Sequence, residues 1–180
     1  MTQGSSLALA VGPRDHIQGD PDALVKLVEY GDYECPYCGE AYLVVKELQR
    51  RLGDDLCFVF RNFPLSNIHE HAQEAAEAAE AAATQQRFWE MHDYLYEHQN
   101  SLEAEDLVGY AKLLALDVRR FTEELVTHVH AERVREDFLG GVRSGVNGTP
   151  TFYINGVRHD GSFDIRSLLS AIQARSRNAA

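Results

Sequence analysis

Cys35-Pro36-Tyr37-Cys38 are the residues in this chain best suited to do chemistry. An apolar run, Leu24 to Tyr30, precedes them, and a helical run, Tyr42 to Leu48, follows. The order is strand, short loop, helix. Two cysteines three apart at a helix start share a face and can close a disulfide within one turn. A helix N-terminus leaves N–H groups unpaired and carries partial positive charge, so it favours a thiolate over a thiol. A low-pKa thiol beside a resolving thiol is the minimum needed for thiol–disulfide exchange.

The same spacing can be half of a zinc site. A structural zinc needs a second ligand pair at a recognisable spacing. The one other cysteine, Cys57, stands alone in the strand-like run Leu56-Cys57-Phe58-Val59-Phe60. His69-Glu70-His71 is a close histidine pair with no cysteine pair beside it. Redox chemistry is therefore the favoured reading, and Cys57 reads as a small buried hydrophobe.

Composition narrows the classes further. An apolar fraction of 44% over 180 residues fits an ordinary globular chain. The net charge is -11, from 17 basic and 28 acidic residues, and no Lys/Arg cluster offers a surface for phosphates. Nucleic acid is thus not an expected partner. No stretch approaches the length needed to cross a bilayer, so no membrane partner is expected either. Met1 to Ser6 lacks a basic n-region and Leu7 to Val11 is short for an h-region, so the expected location is cytoplasmic.

Along the chain, residues 1–20 read as a loose arm with a short strand near Asp15-His16-Ile17. Ala23 to Tyr30 is a strand, Gly31 to Glu34 a loop, and Pro36 to Leu52 a helix. Pro36 suits the first turn and Gly53 the end. Leu56 to Arg61 is a second strand. From His69 to Val142 the pattern is helical. Ala72, Ala75, Ala76, Ala79, Ala82 and Ala83 form a packing face, with Glu74, Glu77 and Glu80 on the other. A stretch around Phe88 to Tyr96 follows. Ser101 is expected to cap a third helix and Asp117 to open a fourth, with a fifth over His130 to Val142. Thr151 to Ile154 and Val157 to His159 make a hairpin about Asn155-Gly156. Asp164 caps the last helix.

Two motifs in this order, Asp32-Tyr33-Glu34-Cys35-Pro36-Tyr37-Cys38 and Gly148-Thr149-Pro150-Thr151-Phe152, resemble those of the DsbA-like branch of the thioredoxin superfamily. The resemblance runs from about Ala23 to about Ile172. It implies an α/β thioredoxin-like fold, a central mixed sheet flanked by helices, with an inserted all-helical domain. The expected division is an arm at 1–20, a thioredoxin-like domain at 21–66 and 146–180, and a helical domain at 67–145. The resemblance makes Cys35 the attacking cysteine and Cys38 the resolving one, with Pro36 and Tyr37 between them. It makes Thr149–Pro150 a cis bond lying against the site. Glu29 matches an acidic strand position that helps move the resolving thiol's proton; the alternative is an ordinary strand carboxylate partnered by a lysine.

The implied activity is protein thiol–disulfide exchange, with protein or peptide thiols and disulfides as partners and glutathione or a thioredoxin-type protein as redox partner. It needs no cofactor and no resident metal. Pro36-Tyr37 is the dipeptide typical of glutaredoxins, so a glutathione-dependent reductase is an alternative. A metal-binding chaperone using the two cysteines only to bind is another. Asp32 and Glu34 flank Cys35 and oppose a thiolate. Together with the Pro36-Tyr37 dipeptide, that places the expected potential between roughly -170 and -270 mV, with the protein working as a reductase or isomerase.

Overall fold

Alternation along the strands decides which side of the sheet each residue faces. A computed structural model describes residues 5–177. The five strands are β1 (His16–Gln18), β2 (Val25–Gly31), β3 (Leu56–Asn62), β4 (Thr151–Ile154) and β5 (Val157–His159), in the order β1-β3-β2-β4-β5. β2 and β3 run parallel, with Leu27 opposite Phe58 and Glu29 opposite Phe60. The other pairings are antiparallel, so the sheet is mixed. Leu27, Phe58, Phe60, Phe152 and Ile154 face one core, while Val28, Tyr30, Cys57, Val59 and Tyr153 face another. Cys57 is fully buried in the second core. Glu29 shares the parity of Leu27, which turns its carboxyl toward the core that also holds Cys38.

Helix α1 spans Pro36–Leu52. Pro36 stands in its first turn, and Gly53 ends it at φ 52. Cys38, Ala41, Tyr42, Val45 and Leu48 form its buried stripe. A single turn of 3₁₀ helix, Gly53–Asp55, leads into β3. Between β3 and β4 lie five helices: α2 (Ala72–Ala83), α3 (Phe88–Glu97), α4 (Ala104–Leu113), α5 (Val118–Val126) and α6 (Ala131–Ser144). Helix α7 (Ile165–Arg177) closes the chain. Its start is capped by Asp164, which accepts from the N–H groups of Arg166 and Ser167 at 2.9 and 3.0 Å. Asn155 and Gly156 both take positive φ, 48° and 79°, the geometry of a two-residue hairpin turn.

Three expectations need correction. The glutamates of α2 do not form a solvated face: Glu77 and Glu80 are buried. Glu80 accepts from His16 at 3.0 Å and from Asn62 at 2.7 Å, and Glu77 pairs with His128 at 3.2 Å. Tertiary partners thus make burial of a polar face tolerable. Ser101 does not cap α4; Glu103 does, with Asp106 completing a capping box, while the Ser101 carbonyl accepts from Tyr110. The described part of the arm is not loose. Leu7 N–H reaches the Gly156 carbonyl at 2.8 Å, and the buried Arg61 guanidinium holds Asp15 and the carbonyls of Leu9 and Ala10. Residues 1–4 lie outside the described part.

The packing of α6 on the sheet predicts opposite outcomes for two glycines. A Cβ on Gly141 would sit 2.7 Å from the buried Phe63 ring and 3.0 Å from Tyr30, whereas one on Gly109 in α4 meets nothing within 4 Å. Ala is intrinsically favoured over Gly in a helix by about 1 kcal/mol, and overpacking a core costs about 1–3 kcal/mol. Gly109→Ala should therefore raise the melting temperature and Gly141→Ala lower it. Thermal melts of the two variants check this; equal stabilisation by both would contradict the packing described.

Candidate active site

Cys35 is the N-cap of α1 and Cys38 lies in its first turn. The Asp32 carbonyl accepts from Cys35 N–H at 3.2 Å, and the Cys35 carbonyl accepts from the N–H groups of Cys38 and Gly39 at 3.0 and 3.2 Å. The two sulfurs are held as free thiols in unequal settings. Hydrogen bonding from the Cys38 thiol brings the Cys35 pKa down to about 5 against the opposing effect of burial, helped by Thr149 and by the Cys38 and Tyr37 N–H groups. Burial pushes the Cys38 thiol up, and its bond to Cys35 and the nearby Glu29 charge push the same way. The backbone N–H of Asp32 donates to Cys38 Sγ at 3.5 Å. One sulfur is thus set to be an anion and its neighbour to keep a proton.

The loop before β4 completes the site. The Thr149–Pro150 bond is cis, and the Thr149 carbonyl accepts from the Cys35 thiol at 3.4 Å. The Thr149 hydroxyl is buried and otherwise unpartnered. Pro36 and Tyr37 project outward, Tyr37 60% exposed, so their side chains line the approach to the sulfurs. Glu29 lies inside. Its Oε1 has no hydrogen-bond partner, and no lysine pairs with it among the described residues. Burial pushes its pKa up to about 8, and the Cys35 charge adds to the rise.

Several residues of this site carry no local signal in the sequence. Gln99, just past α3, donates from Nε2 to the carbonyls of Tyr33 and Cys35 at 2.8 and 2.9 Å. Tyr33 is buried and shares a hydrogen bond with His92 Nδ1 at 3.0 Å. His69 donates from Nδ1 to Asp32 Oδ2 at 2.8 Å. His69 and His71 were notable in the sequence only as a close pair. The flanking acids are also not as expected. Asp32 is buried and faces His69, and Glu34 accepts from the His71 N–H at 2.6 Å, so neither stands as a bare charge beside Cys35.

The family model described as thioredoxin matches residues 12–174, so the chain belongs to that family. Its fold is that of DsbA-like thiol–disulfide oxidoreductases. BdbD from Bacillus subtilis superposes with a TM-score of 0.84 at 23% identity, covering 98% of this chain and 100% of that one. Wolbachia pipientis alpha-DsbA1 superposes with a TM-score of 0.81 at 20% identity, covering 97% of each. A curated relative, the Na(+)/H(+) antiporter NhaA 1 of Salinispora arenicola (strain CNS-205), is 50% identical over 167 residues. Those residues are 92% of this chain and 26% of the relative, so the chain spans about a quarter of the curated relatives it matches. Among the described residues, no helix is long and apolar enough to cross a membrane.

Glu29 gives this site a pH signature in stability. Its pKa is about 8 in the fold against an ordinary 4.5, so the folded state keeps a proton that the unfolded state has lost. The stability tied to that proton is whole below about pH 4.5 and is lost as pH rises through about 8. At about 1.4 kcal/mol per unit, the loss is on the order of 5 kcal/mol at most. Glu29→Gln should change the melting temperature little near pH 5 and raise it near pH 9. Melts of the reduced protein at both pH values check this; an equal shift at both would contradict a raised Glu29.

Proposed function

We propose that this chain catalyses protein thiol–disulfide exchange, with Cys35 as the nucleophile and Cys38 as the resolving thiol. The observation that carries this reading is the inequality of the two sulfurs, one low-pKa at a helix start and one buried and protonated.

The chemistry follows from that inequality. The Cys35 thiolate attacks one sulfur of a substrate disulfide. The substrate S–S bond breaks as the Cys35–substrate bond forms, and the leaving thiolate takes up a proton. Cys38 then gives its proton to the Glu29 carboxylate and attacks Cys35 Sγ. The second substrate thiolate departs, the substrate has gained two electrons, and the protein holds the Cys35–Cys38 disulfide. Run in reverse, the same steps oxidise a dithiol. A carboxyl with a pKa near neutrality is suited to pass this proton in either direction. Protein or peptide thiols and disulfides are the substrates, with glutathione or a thioredoxin-type protein restoring the pair.

The geometry also shifts the expected direction. With its pKa at about 5, Cys35 ionises at pH 7 and favours the reduced form by about two powers of ten over an unshifted thiol. That is worth about 60 mV in a two-electron couple. The acids that argued for a reducing couple are both engaged, Asp32 by His69 and Glu34 by the His71 N–H. We therefore place the couple at the oxidising end of the -170 to -270 mV range or above it, which favours oxidation and isomerisation over reduction. Deglutathionylation assays address the glutathione-dependent alternative.

The test is a cysteine series read with a disulfide-bonded protein substrate. Cys38→Ser should accumulate a mixed disulfide through Cys35, Cys35→Ser should lose exchange by at least about a hundredfold, and Cys57→Ser should keep it nearly whole. Substantial exchange by Cys35→Ser would overturn the reading.

A further inference from the structure

The Asp32 carboxylate is an odd feature of a site built to hold an anion on sulfur. It is wholly buried and lies in the loop just before Cys35. An unpaired carboxylate there would repel the thiolate in a setting where water screens little. Its bonds explain its presence. Oδ2 accepts from His69 Nδ1 and from the Leu65 N–H, each at 2.8 Å, and Oδ1 accepts from the Glu34 N–H at 2.8 Å. The backbone of the same residue touches both cysteines: its N–H donates to Cys38 Sγ and its carbonyl accepts from Cys35 N–H. Asp32 is thus the joint between the dithiol and the segment leading into α2. A second clamp, His71 N–H to Glu34 Oε2, fixes that segment to the same loop.

Among the described residues, His69 is the one cationic side chain in ion-pair contact with Asp32. We propose that His69 is a positioning residue for the dithiol: its imidazolium cancels the buried Asp32 charge and holds the loop whose backbone bonds the Cys38 sulfur and the Cys35 N–H. The inference rests on Cys35 and Cys38 being the redox pair, and it adds a histidine, distant in sequence, that acts on them through Asp32. The groups facing His69 are Asp32, Glu34 and Cys35, all acidic; burial disfavours the imidazolium, but these three outweigh it and hold the ring above its ordinary pKa. His69 keeps some exposure, a side-chain value of 17%, so it can exchange its proton with solvent. By linkage, a charged His69 favours the Cys35 thiolate and the thiolate favours a charged His69 to the same degree.

That reciprocity supplies a test that a merely structural histidine would not pass. In the unaltered protein, the His69 imidazole is titrated by NMR in the dithiol and disulfide forms. Its midpoint should be higher in the dithiol form by about half a pH unit or more. His69→Gln keeps a donor for Asp32 while removing the charge. In that variant the Cys35 thiolate absorbance should titrate higher by a similar amount, and glutathione equilibration should leave about threefold less of the pair reduced. Should the variant fail to fold, as read by circular dichroism, the titration of the unaltered protein decides. A His69 midpoint indifferent to redox state, or a folded His69→Gln with an unmoved Cys35 titration, would overturn the inference. A protein that shows the linked titration but exchanges no disulfides would strike the function proposed above and leave this inference standing.

Discussion

A negative charge on one sulfur atom, with a proton kept on its neighbour less than one helical turn away, is the condition that the rest of this structure serves. A buried thiol keeps its proton readily and loses it reluctantly, because burial alone disfavours every anion. The fold overcomes burial at Cys35 with short-range donors: the Cys38 thiol and the first N–H groups of α1. It lets burial prevail over the Asp32 N–H at Cys38 and places the uncompensated Glu29 nearby, which raises that thiol further. Thiolate at the rim and proton reserve beneath it are two faces of one electrostatic arrangement.

The sheet and the helices divide the labour. β2 brings Glu29 beneath the site by strand parity, α1 sets the two sulfurs one turn apart, and the loop before β4 carries Thr149 to Cys35. The five helices between β3 and β4 are not remote from this. Gln99 at the end of α3 pins the carbonyls of Tyr33 and Cys35, and the segment before α2 fastens Asp32 and Glu34. Residues of both portions share one hydrophobic core, so the cysteine loop is gripped from two sides. A loop so held can keep its donors in place through oxidation and reduction, which is the value of preorganisation in an electrostatic site.

Local chemistry made much of this legible in the sequence. Pro36 at a helix start and Gly53 after its end delimit α1 at the residues expected, and Asn155-Gly156 marks the hairpin turn. Cys35 and Cys38 could be picked out because their spacing at a helix start is itself the signal, and Pro150 through the resemblance of its motif to a known family. What sequence did not disclose depends on partners far along the chain. The burial of Glu77 and Glu80 is tolerable only because His128, His16 and Asn62 arrive from other elements. Ser101 looked like a cap because its type suits one, but Glu103 and Asp106 made the better box. His69 and Gln99 reach the cysteine loop across 37 and 64 residues, and no local periodicity encodes such a contact. The expectation of a reducing couple rested in part on Asp32 and Glu34 as charges beside Cys35, and the histidine and backbone donor that engage them come from a distant segment that no local pattern discloses.

The most direct measurement is the pH dependence of alkylation of the reduced protein, with Cys38 and Cys57 replaced by serine in separate controls. The rate of modification at Cys35 follows its thiolate fraction. The account predicts that this rate reaches half its plateau near pH 5, because Cys38 and the first turn of α1 stabilise the anion, and that Cys38→Ser moves the midpoint upward. A midpoint near ~8.5, the value of an ordinary cysteine, would contradict it.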